Sequence, residues 1–273
     1  RWVILDWCNP SFRIDWIQQI KVVDDQQPLV TCPKNYTVNT NPWSCTGSLI
    51  LPVPIDWTPT TAIDSNTIPL VIENCSGWTY YVKHLPATNP NDCTPIPGQG
   101  DTKNITKLAD GRYRVDNMPL GCNWIYYVIT DGCGNSTVCQ FDIVVEDKTP
   151  PVAVCQQKTV ISLGSNGKAI VPASVFNDRS HDNCGPVTFE VRRMDPGPCG
   201  TTSFRADQEF CCADVSSTVP VRVVLSVIDA SRNRSECMVD AFIQDKLPPK
   251  ITCPKNISVT CGTDLSNLNA FGV

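Results

Sequence analysis

The stretch Asp147-Lys-Thr-Pro-Pro-Val-Ala-Val-Cys155 recurs almost unchanged as Asp245-Lys-Leu-Pro-Pro-Lys-Ile-Thr-Cys253, and a looser copy, Asp24-Asp-Gln-Gln-Pro-Leu-Val-Thr-Cys32, precedes both. Each copy has an Asp eight residues before a cysteine and a proline four residues before it. Successive copies begin 123 and 98 residues apart, and a period of that size is a whole domain. The spacing predicts complete repeats over 24–146 and 147–244, the last strands of a partial repeat over 1–23, and the first strands of another over 245–273.

Composition limits the classes of function. The chain has 22 Lys and Arg against 27 Asp and Glu, a formal net charge of −5, which argues against binding nucleic acid or an anionic membrane surface. The apolar runs are too short to span a bilayer, so no membrane insertion is expected. Sixteen cysteines predict an oxidising compartment, and therefore a secreted, extracellular location. Because no signal peptide opens the chain, we expect it to be internal to, or processed from, a longer precursor.

Strand patterns dominate between the turn-forming clusters. Runs of β-branched and aromatic residues occupy 124–130, 141–145, 188–192 and 219–227, and several alternate apolar with polar side chains. No convincing amphipathic helix is found. About seven short strands per repeat is typical of immunoglobulin-like domains. The predicted fold is therefore all-β: tandem immunoglobulin-like sandwiches, closed by disulfides, with incomplete domains at both chain ends.

Two long-range disulfides follow from the order of the strands. Thr130-Asp-Gly-Cys-Gly-Asn-Ser-Thr-Val-Cys139 matches Ile228-Asp-Ala-Ser-Arg-Asn-Arg-Ser-Glu-Cys237, and both stretches are interpreted as a tight turn followed by the last strand. The natural partner of each last-strand cysteine is the first-strand cysteine of the same repeat. This predicts Cys32–Cys139 and Cys155–Cys237, each closing a loop of roughly a hundred residues and contributing about 4–5 kcal/mol in the chain-entropy model.

The other cysteines leave alternatives open. In the second repeat, Cys211 and Cys212 are expected to point to opposite faces of a strand. We expect Cys184 to form a disulfide with one of them and Cys199 with the other, and the sequence does not assign which. The first repeat has an odd number, the remaining five being Cys45, Cys75, Cys93, Cys122 and Cys133.

Cys8 precedes the complete repeats. If a two-residue insertion is allowed, Asp6-Trp-Cys8 matches Asp131-Gly-Cys133, and Trp16 then falls where Cys139 and Cys237 fall. One solution pairs Cys8 with the spare cysteine of the first repeat. The other is an inter-subunit bond from Cys8 to Cys253 or Cys261 of a different copy.

Metal and catalytic sites are weak alternatives. No Cys-x-x-Cys spacing occurs and the two histidines are isolated, so no zinc site is predicted. His181-Asp-Asn-Cys184 is interpreted as a turn before a structural cysteine, and His84 as a surface loop residue. Calcium could bind at the junctions, where the candidate ligands are Asp24, Asp25, Asp147 and Asp245. The favoured interpretation is that each Asp ends a strand, with no cofactor, because Lys148 and Lys246 would weaken a cation site.

These motifs together carry a family resemblance. The frame Asp-Lys-x-Pro-Pro-x-x-x-Cys-Pro, then Asp-Asn-Cys, then Asp-x-x-x-Asn-x-x-x-Cys resembles the hyalin repeat (HYR) family, although Gln156 replaces the proline after Cys155. The runs 188–195, 210–215 and 229–233 are similar to tandem repeats of very large surface proteins of Bacteroidota. The resemblance is strong over 147–261 and looser over 24–146, where extra loops such as 86–98 occur. It implies an immunoglobulin-like sandwich, export to a bacterial cell surface, adhesive or structural roles, and no catalytic residues.

Two functions are compatible with these expectations, and neither is an enzyme. The first is a structural subunit of a surface filament or stalk. The Pro-Pro pairs at 150–151 and 248–249 would stiffen the joints between domains. The partial domains of successive copies would complete one another by strand addition. The predicted complementing residues are Trp16, Ile20, Val22, Ile251, Ile257 and Val259. The alternative is an adhesin segment that binds a surface glycan or protein through loops of the first repeat. Candidate sugar-stacking residues are Trp57, Trp78, Tyr80 and Tyr81, although a core position is favoured for most of them.

Overall fold

The structure is a computed structural model that describes residues 1–59, 68–73, 77–94, 100–249, 251–253, 256–263 and 266. The described part is almost entirely β, which confirms the predicted class. It divides into two compact units, one of 1–149 with Asn183–Gly185, and one of 150–182 with 186–273. The division falls within the repeated phrase, immediately before the first Pro-Pro pair.

The first unit contains a β-sandwich preceded by a separate hairpin. One sheet has the order β4-β12-β11-β8, and two three-stranded sheets have the orders β5-β10-β9 and β3-β7-β6. The hairpin is a sheet of its own. The strands are β1 Trp2–Leu5, β2 Arg13–Trp16, β3 Leu29–Thr31, β4 Tyr36–Asn39, β5 Thr46–Leu51, β6 Ile55–Asp56, β7 Leu70–Ile72, β8 Trp78–Pro86, β9 Ile105–Lys107, β10 Tyr113–Pro119, β11 Gly121–Asp131 and β12 Ser136–Glu146.

The core of the first unit follows from the two-residue period of its central strands. Ile125, Tyr127 and Ile129 of β11 face inward and are fully buried, and they pack with Phe141 and Ile143 of β12. Leu51, Val71, Val82, Val115 and Met118 complete the core from neighbouring strands. The alternate residues of β11, among them Trp124 and Tyr126, are also buried. Both faces of this central strand are therefore covered.

The second unit has the same plan with fewer strands. A four-stranded sheet has the order β13-β18-β17-β15 and is accompanied by the pair β14-β16. The core is centred on Phe176, Phe210, Leu225 and Val239. The strands are β13 Lys158–Ser162, β14 Lys168–Pro172, β15 Thr188–Arg193, β16 Asp207–Cys211, β17 Val221–Ile228 and β18 Arg234–Gln244, with short 3₁₀ helices at Ala173–Phe176 and Cys212–Asp214.

The repeated phrase has the same local structure in all three copies. The leading carboxylate accepts a hydrogen bond from the backbone N–H two residues later: Asp24 from Gln26 at 3.1 Å, Asp147 from Thr149 at 3.2 Å, and Asp245 from Leu247 at 3.1 Å. This Asx turn redirects the chain where one repeat meets the next. The junction aspartates are therefore turn-forming residues in each copy.

The structure contains both predicted long-range disulfides, Cys32–Cys139 and Cys155–Cys237. In each repeat, the strand that follows the first cysteine also pairs with the last strand, and the register is the same in both. The residue four positions after the first cysteine lies opposite the residue four positions after the second: Tyr36 opposite Ile143, and Thr159 opposite Ala241, in parallel pairs. The disulfide and the parallel pairing thus tie the segment that begins at the first cysteine to the last strand at two points.

The predicted pairing of the second repeat's other cysteines is wrong in part. Cys199 bonds Cys211, but Cys184 bonds Cys45, and Cys212 is exposed without a disulfide. The reason is that Asn183–Gly185 belongs to the first unit, where the Asn183 amide donates to Thr40 Oγ1 at 3.2 Å. Cys93 bonds Cys122, and Cys75 lies outside the described residues.

Candidate functional site: an unpaired hairpin and its complementary segment

The N-terminal hairpin formed by β1 and β2 exposes an apolar face. Trp2 lies opposite Trp16 and Ile4 opposite Ile14, and residues that pair directly across an antiparallel ladder share one face. These four side chains are 46–63% exposed. The opposite face mixes Val3 and Leu5 with Arg13 and Asp15, and Asp15 pairs with Arg1 and Arg13. The hydrogen bond from Arg1, then that from Arg13, lowers the pKa of Asp15, although partial desolvation opposes the shift.

The N-terminal hairpin has the register of the closing hairpin in each complete repeat. The pair Trp2–Trp16 corresponds to Tyr127–Cys139 and to Leu225–Cys237. Its second pair, Ile4–Ile14, corresponds to Ile129–Thr137 and Val227–Ser235. Tyr127, Ile129, Leu225 and Val227 are fully buried in the cores of their units. The exposed apolar face of the hairpin is therefore the face that a sandwich of this type buries.

The turn of the N-terminal hairpin carries the predicted two-residue insertion. Asp6 N donates to Phe12 O across the turn, whereas Asp131 N donates to Asn135 O and Asp229 N to Asn233 O. The Asp6 carboxylate accepts a hydrogen bond from Cys8 N at 2.9 Å. The Asp131 carboxylate accepts one from Cys133 N, also at 2.9 Å. Both cysteines are exposed and without a disulfide. The equivalence of Cys8 and Cys133 is thus a structural one.

Residues 17–23 differ from the sequence prediction. They were expected to continue the strand, but β2 ends at Trp16 and no regular pairing follows. Ile20 and Val22 are 81% and 89% exposed. The physical reason is that an extended segment needs a partner for its N–H and C=O groups to form a ladder.

The C-terminal segment, defined as 251–253 and 256–260, is the second unpaired region. It contains no strand, and Ile251, Ile257 and Val259 are 83%, 58% and 46% exposed. The residues at the same distances from the first cysteine of the first repeat are Val30, Tyr36 and Val38, and all three pack on that unit's core. The segment therefore exposes side chains whose counterparts in a complete repeat are packed. Cys253 and Cys261 are exposed and without a disulfide.

An acidic group lies at the start of the first complete repeat. Ligand atoms of Asp24, Glu73 and Asp131 lie within 4.8 Å of one another. Burial opposes ionisation of Asp131, but N–H donors from Asn135, Cys133 and Gly134 lower its pKa overall. Carboxylate oxygens are ligands that calcium prefers. These residues are compatible with the calcium alternative considered for the junctions, although Asp25 is not part of the group. The favoured expectation of no cofactor stays a prediction.

The histidine and cysteine candidates have structural surroundings. Cys184 is held in a disulfide, so it offers no thiol beside His181, which is exposed. His84 was expected on the surface, and this is wrong: it is 1% exposed on β8, with its Nε2 3.0 Å from Asn123 Oδ1. Burial lowers its pKa, although the Asn123 hydrogen bond and Asp101 oppose the shift.

The aromatic residues proposed as sugar contacts divide into two groups. Trp78 and Tyr80 pack against the core of the first unit. Trp57 and Tyr81 are 44% and 42% exposed.

Among the described helices, none combines the length and apolar character needed to cross a membrane.

Sequence comparison finds similarity to a sea-urchin protein. The chain is 24% identical over 217 residues to hyalin of Strongylocentrotus purpuratus, an alignment that covers 75% of this chain. The chain spans about 15% of the length of that relative. No family model matches the chain. The similarity supports a relationship to hyalin-type, immunoglobulin-like repeats.

Solved structures with partial similarity include a protocadherin, a complex of Dpr11 with DIP-gamma, and a titin fragment. The first two domains of human mucin-like protocadherin give a TM-score of 0.37 at 8% identity, covering 81% of this chain and 99% of that one. Dpr11 bound to DIP-gamma gives 0.36 at 12% identity, covering 80% and 99%. A titin I-band fragment gives 0.29 at 9% identity, covering 72% and 66%. The sheet order and the cores of the two units define the fold.

Proposed function

We propose that this chain is a structural part of an extracellular, adhesion-type surface protein, and that it builds a filament or stalk by head-to-tail strand complementation. The N-terminal hairpin of one copy receives the C-terminal segment of another copy. The many disulfides support a location outside the reducing cytosol. The similarity to hyalin supports a repeat protein of this kind.

A single observation carries the assembly proposal: the uncovered face of the N-terminal hairpin corresponds, pair by pair, to the core-directed face of the closing hairpin in both complete repeats, where the residues equivalent to Trp2 and Ile4 are fully buried. An apolar sheet face bounded by unpaired edges favours the addition of a further strand. The C-terminal segment has the sequence spacing of the strand that performs this role in the complete repeats.

The complete repeats also supply a register for the contact. Ile257 lies four residues after Cys253, and Ile20 lies four residues after Trp16, the positions that pair in both complete repeats. The proposed parallel ladder therefore places Ile257 opposite Ile20 and Val259 opposite Val22. Because Trp16 replaces the second cysteine, Cys253 has no partner for the usual long-range disulfide in such a composite domain.

The loss of that disulfide leaves exposed thiols for a covalent link. Cys8, Cys253 and Cys261 are all exposed without a disulfide, and the inter-subunit bond from Cys8 to one of the other two is part of the proposal. Non-reducing electrophoresis of oxidised material should give a ladder that collapses with reductant. A single monomer band at every concentration would reject the covalent link alone.

Assembly is tested with the full chain by light scattering across a concentration series and by negative-stain electron microscopy. The unmodified chain should form rows of domains, whereas I257D combined with V259D should remain monomeric, because two carboxylates would be buried in the composite core. The control V219D changes an exposed valine of the second unit and should assemble normally. Monomers of the unmodified chain at all concentrations, or assembly equal in both variants, would reject the proposal.

A second candidate function is an adhesin segment that binds a surface glycan or protein. One observation favours it, a cavity between the main sheet of the first unit and residues 86–94 of the extra loop. A structural filament and a ligand site on its surface are compatible functions, so evidence for one does not remove the other.

A further inference from the structure

A small cavity lies beside the outer face of the main sheet in the first unit. It has a volume of about 230 Å³, and its lining includes Leu85, Pro86, Thr88, Asn89, Asp92 and Trp124. Leu85 and Trp124 are cross-strand partners on β8 and β11. The remaining residues come from the start of the extra loop. The cavity is thus formed by a sheet face and by an insertion that covers it.

The described part of the extra loop is fixed to the sheet. Ala87 N donates to Cys122 O at 3.0 Å, and Cys122 N donates to Pro90 O at 3.1 Å. The Cys93–Cys122 disulfide adds a covalent tie at the same point. Gly121 has a φ of +88°, and a side chain there would collide with the Pro90 backbone. This loop portion is therefore positioned by the sheet, as a preformed binding site requires.

Trp124 supplies an unsatisfied polar group at the wall. Its side chain is 93% buried, with 7% exposed, yet its indole Nε1 has no hydrogen-bond partner among the described residues. A buried donor without a partner typically costs about 1–3 kcal/mol. The Nε1 atom itself exposes less than 1 Å², so a ligand oxygen reaches it only when the loop shifts, and the binding inferred below includes that shift.

The described rim of the cavity carries polar side chains and no positive charge. Among the described lining residues, none is Lys, Arg or His. The Asp92 carboxylate accepts from the Thr94 hydroxyl at 2.5 Å and from Thr94 N at 2.9 Å. These two hydrogen bonds lower the pKa of Asp92, so its carboxylate is ionised at neutral pH. The rim therefore disfavours anionic ligands and offers acceptors to a ligand that brings its own hydroxyl donors.

We infer that this cavity binds one neutral sugar ring, as a free hexose or as the terminal residue of a glycan. An aromatic wall accommodates the C–H face of a sugar, and an indole N–H can donate to a ring substituent. The Asp92 carboxylate, the Asn89 amide and the Thr88 hydroxyl together match hydroxyl groups, which both donate and accept. A single ring suits the volume, which is below the range of drug-sized pockets. The inference does not depend on filament assembly.

The test uses the full chain and saturation-transfer NMR. The probes are methyl glycosides of glucose, galactose, mannose and N-acetylglucosamine, together with sialic acid as an anionic probe. At least one neutral glycoside should bind with millimolar affinity, and sialic acid should not. Oligosaccharides ending in the bound sugar separate the two sources: similar affinity indicates recognition of the ring alone, and tighter binding indicates a glycan terminus.

Two variants connect binding to the cavity. D92N keeps the shape of the rim but removes the carboxylate. W124F keeps the apolar wall but removes the N–H donor. Each variant should weaken sugar binding about tenfold, the affinity change expected from losing roughly one hydrogen bond. Because Asp92 is exposed, D92N carries the test if W124F fails to fold. The controls W7A and W43A change tryptophans of the same unit that are 96% and 93% exposed, and both should bind as the parent does. No neutral sugar bound, or binding lost in the controls but kept in D92N, would overturn the inference.

Discussion

Trp2 and Trp16 lie directly opposite each other across the N-terminal hairpin, on a face that solvent reaches. In the two complete repeats the corresponding pairs each join a core residue to the cysteine of the long-range disulfide. The substitution of Trp16 for that cysteine exchanges a covalent tie for apolar surface. It makes this hairpin suited to receive a strand non-covalently, which is the basis of the assembly proposal.

The stability of the second unit should depend on the buried ion pair between Arg193 and Asp214. Two hydrogen bonds of 2.7 and 3.0 Å join the side chains, which are 6% and 2% exposed, and Asp214 also accepts from Cys211 N. D214N should lower the free energy of unfolding by about 3–5 kcal/mol, because it leaves the arginine charge buried without its counter-ion.

The matched control for this pair is E209Q, which breaks the exposed Lys168–Glu209 pair of the same unit. It should cost under about 1 kcal/mol. Urea unfolding of both variants checks the difference. Equal losses would contradict a structural role for the buried pair.

Acid should destabilise the first unit through His84. Its folded pKa lies below the ordinary value of 6.5 because of burial, so the unfolded chain binds more protons as the pH falls through that value. By linkage, His84 lowers stability below about pH 6.5 and has no such effect well above it. The free energy of unfolding at pH 7.5 minus that at pH 5.5 should therefore be smaller in H84Q than in the parent.

The chain contains two histidines, and the exposed His181 provides the control for this prediction. H181Q should retain the parent's pH dependence. If H84Q and H181Q show the same pH dependence, the buried imidazole is not its source.

The extra loop should depend on the glycine beneath it. Gly111 and Gly121 have almost the same φ, +87° and +88°, but only a side chain at 121 would meet the Pro90 backbone. G111A should cost about 1–2 kcal/mol for the left-handed conformation alone. G121A should cost a further 1–3 kcal/mol, roughly, for overpacking. Thermal unfolding of G111A and G121A measures the two losses of stability. Equal losses would contradict the prediction, because they would mean that the loop moves away from the added methyl group without cost.

The repeat structure could be predicted from the sequence because its signals are local. The Asp that begins each phrase forms the same turn three times, and the Asp131–Asn135 spacing predicts the hairpin turn that Asn135 closes by donating to Asp131. The two-residue insertion before Trp16 was visible in the alignment alone. Cysteines at equivalent strand positions then gave both long-range disulfides.

The parts that sequence analysis missed depend on tertiary contacts. Cys45 and Cys184 are separated by 139 residues, and no local pattern encodes such a pair. The burial of His84 had a signal: Val82 and His84 alternate on the core side of β8, but the following Leu-Pro suggested a loop. The cavity beside Trp124 required the fold, because its walls come from strands and a loop that meet only in three dimensions.

The central claim is the parallel contact between the N-terminal hairpin of one copy and the C-terminal segment of another. Its most direct measurement is disulfide cross-linking between two variants, I20C and I257C, mixed in a background where the exposed free cysteines are serine. Bonded cysteines need Cα atoms within about 7 Å, and the proposed register places these two residues opposite each other. Mass spectrometry should identify a peptide linking 20 to 257, whereas I20C mixed with T260C, displaced by roughly 10 Å along the strand, should link poorly. No link at 20–257, or equal yields in both mixtures, would contradict the composite domain.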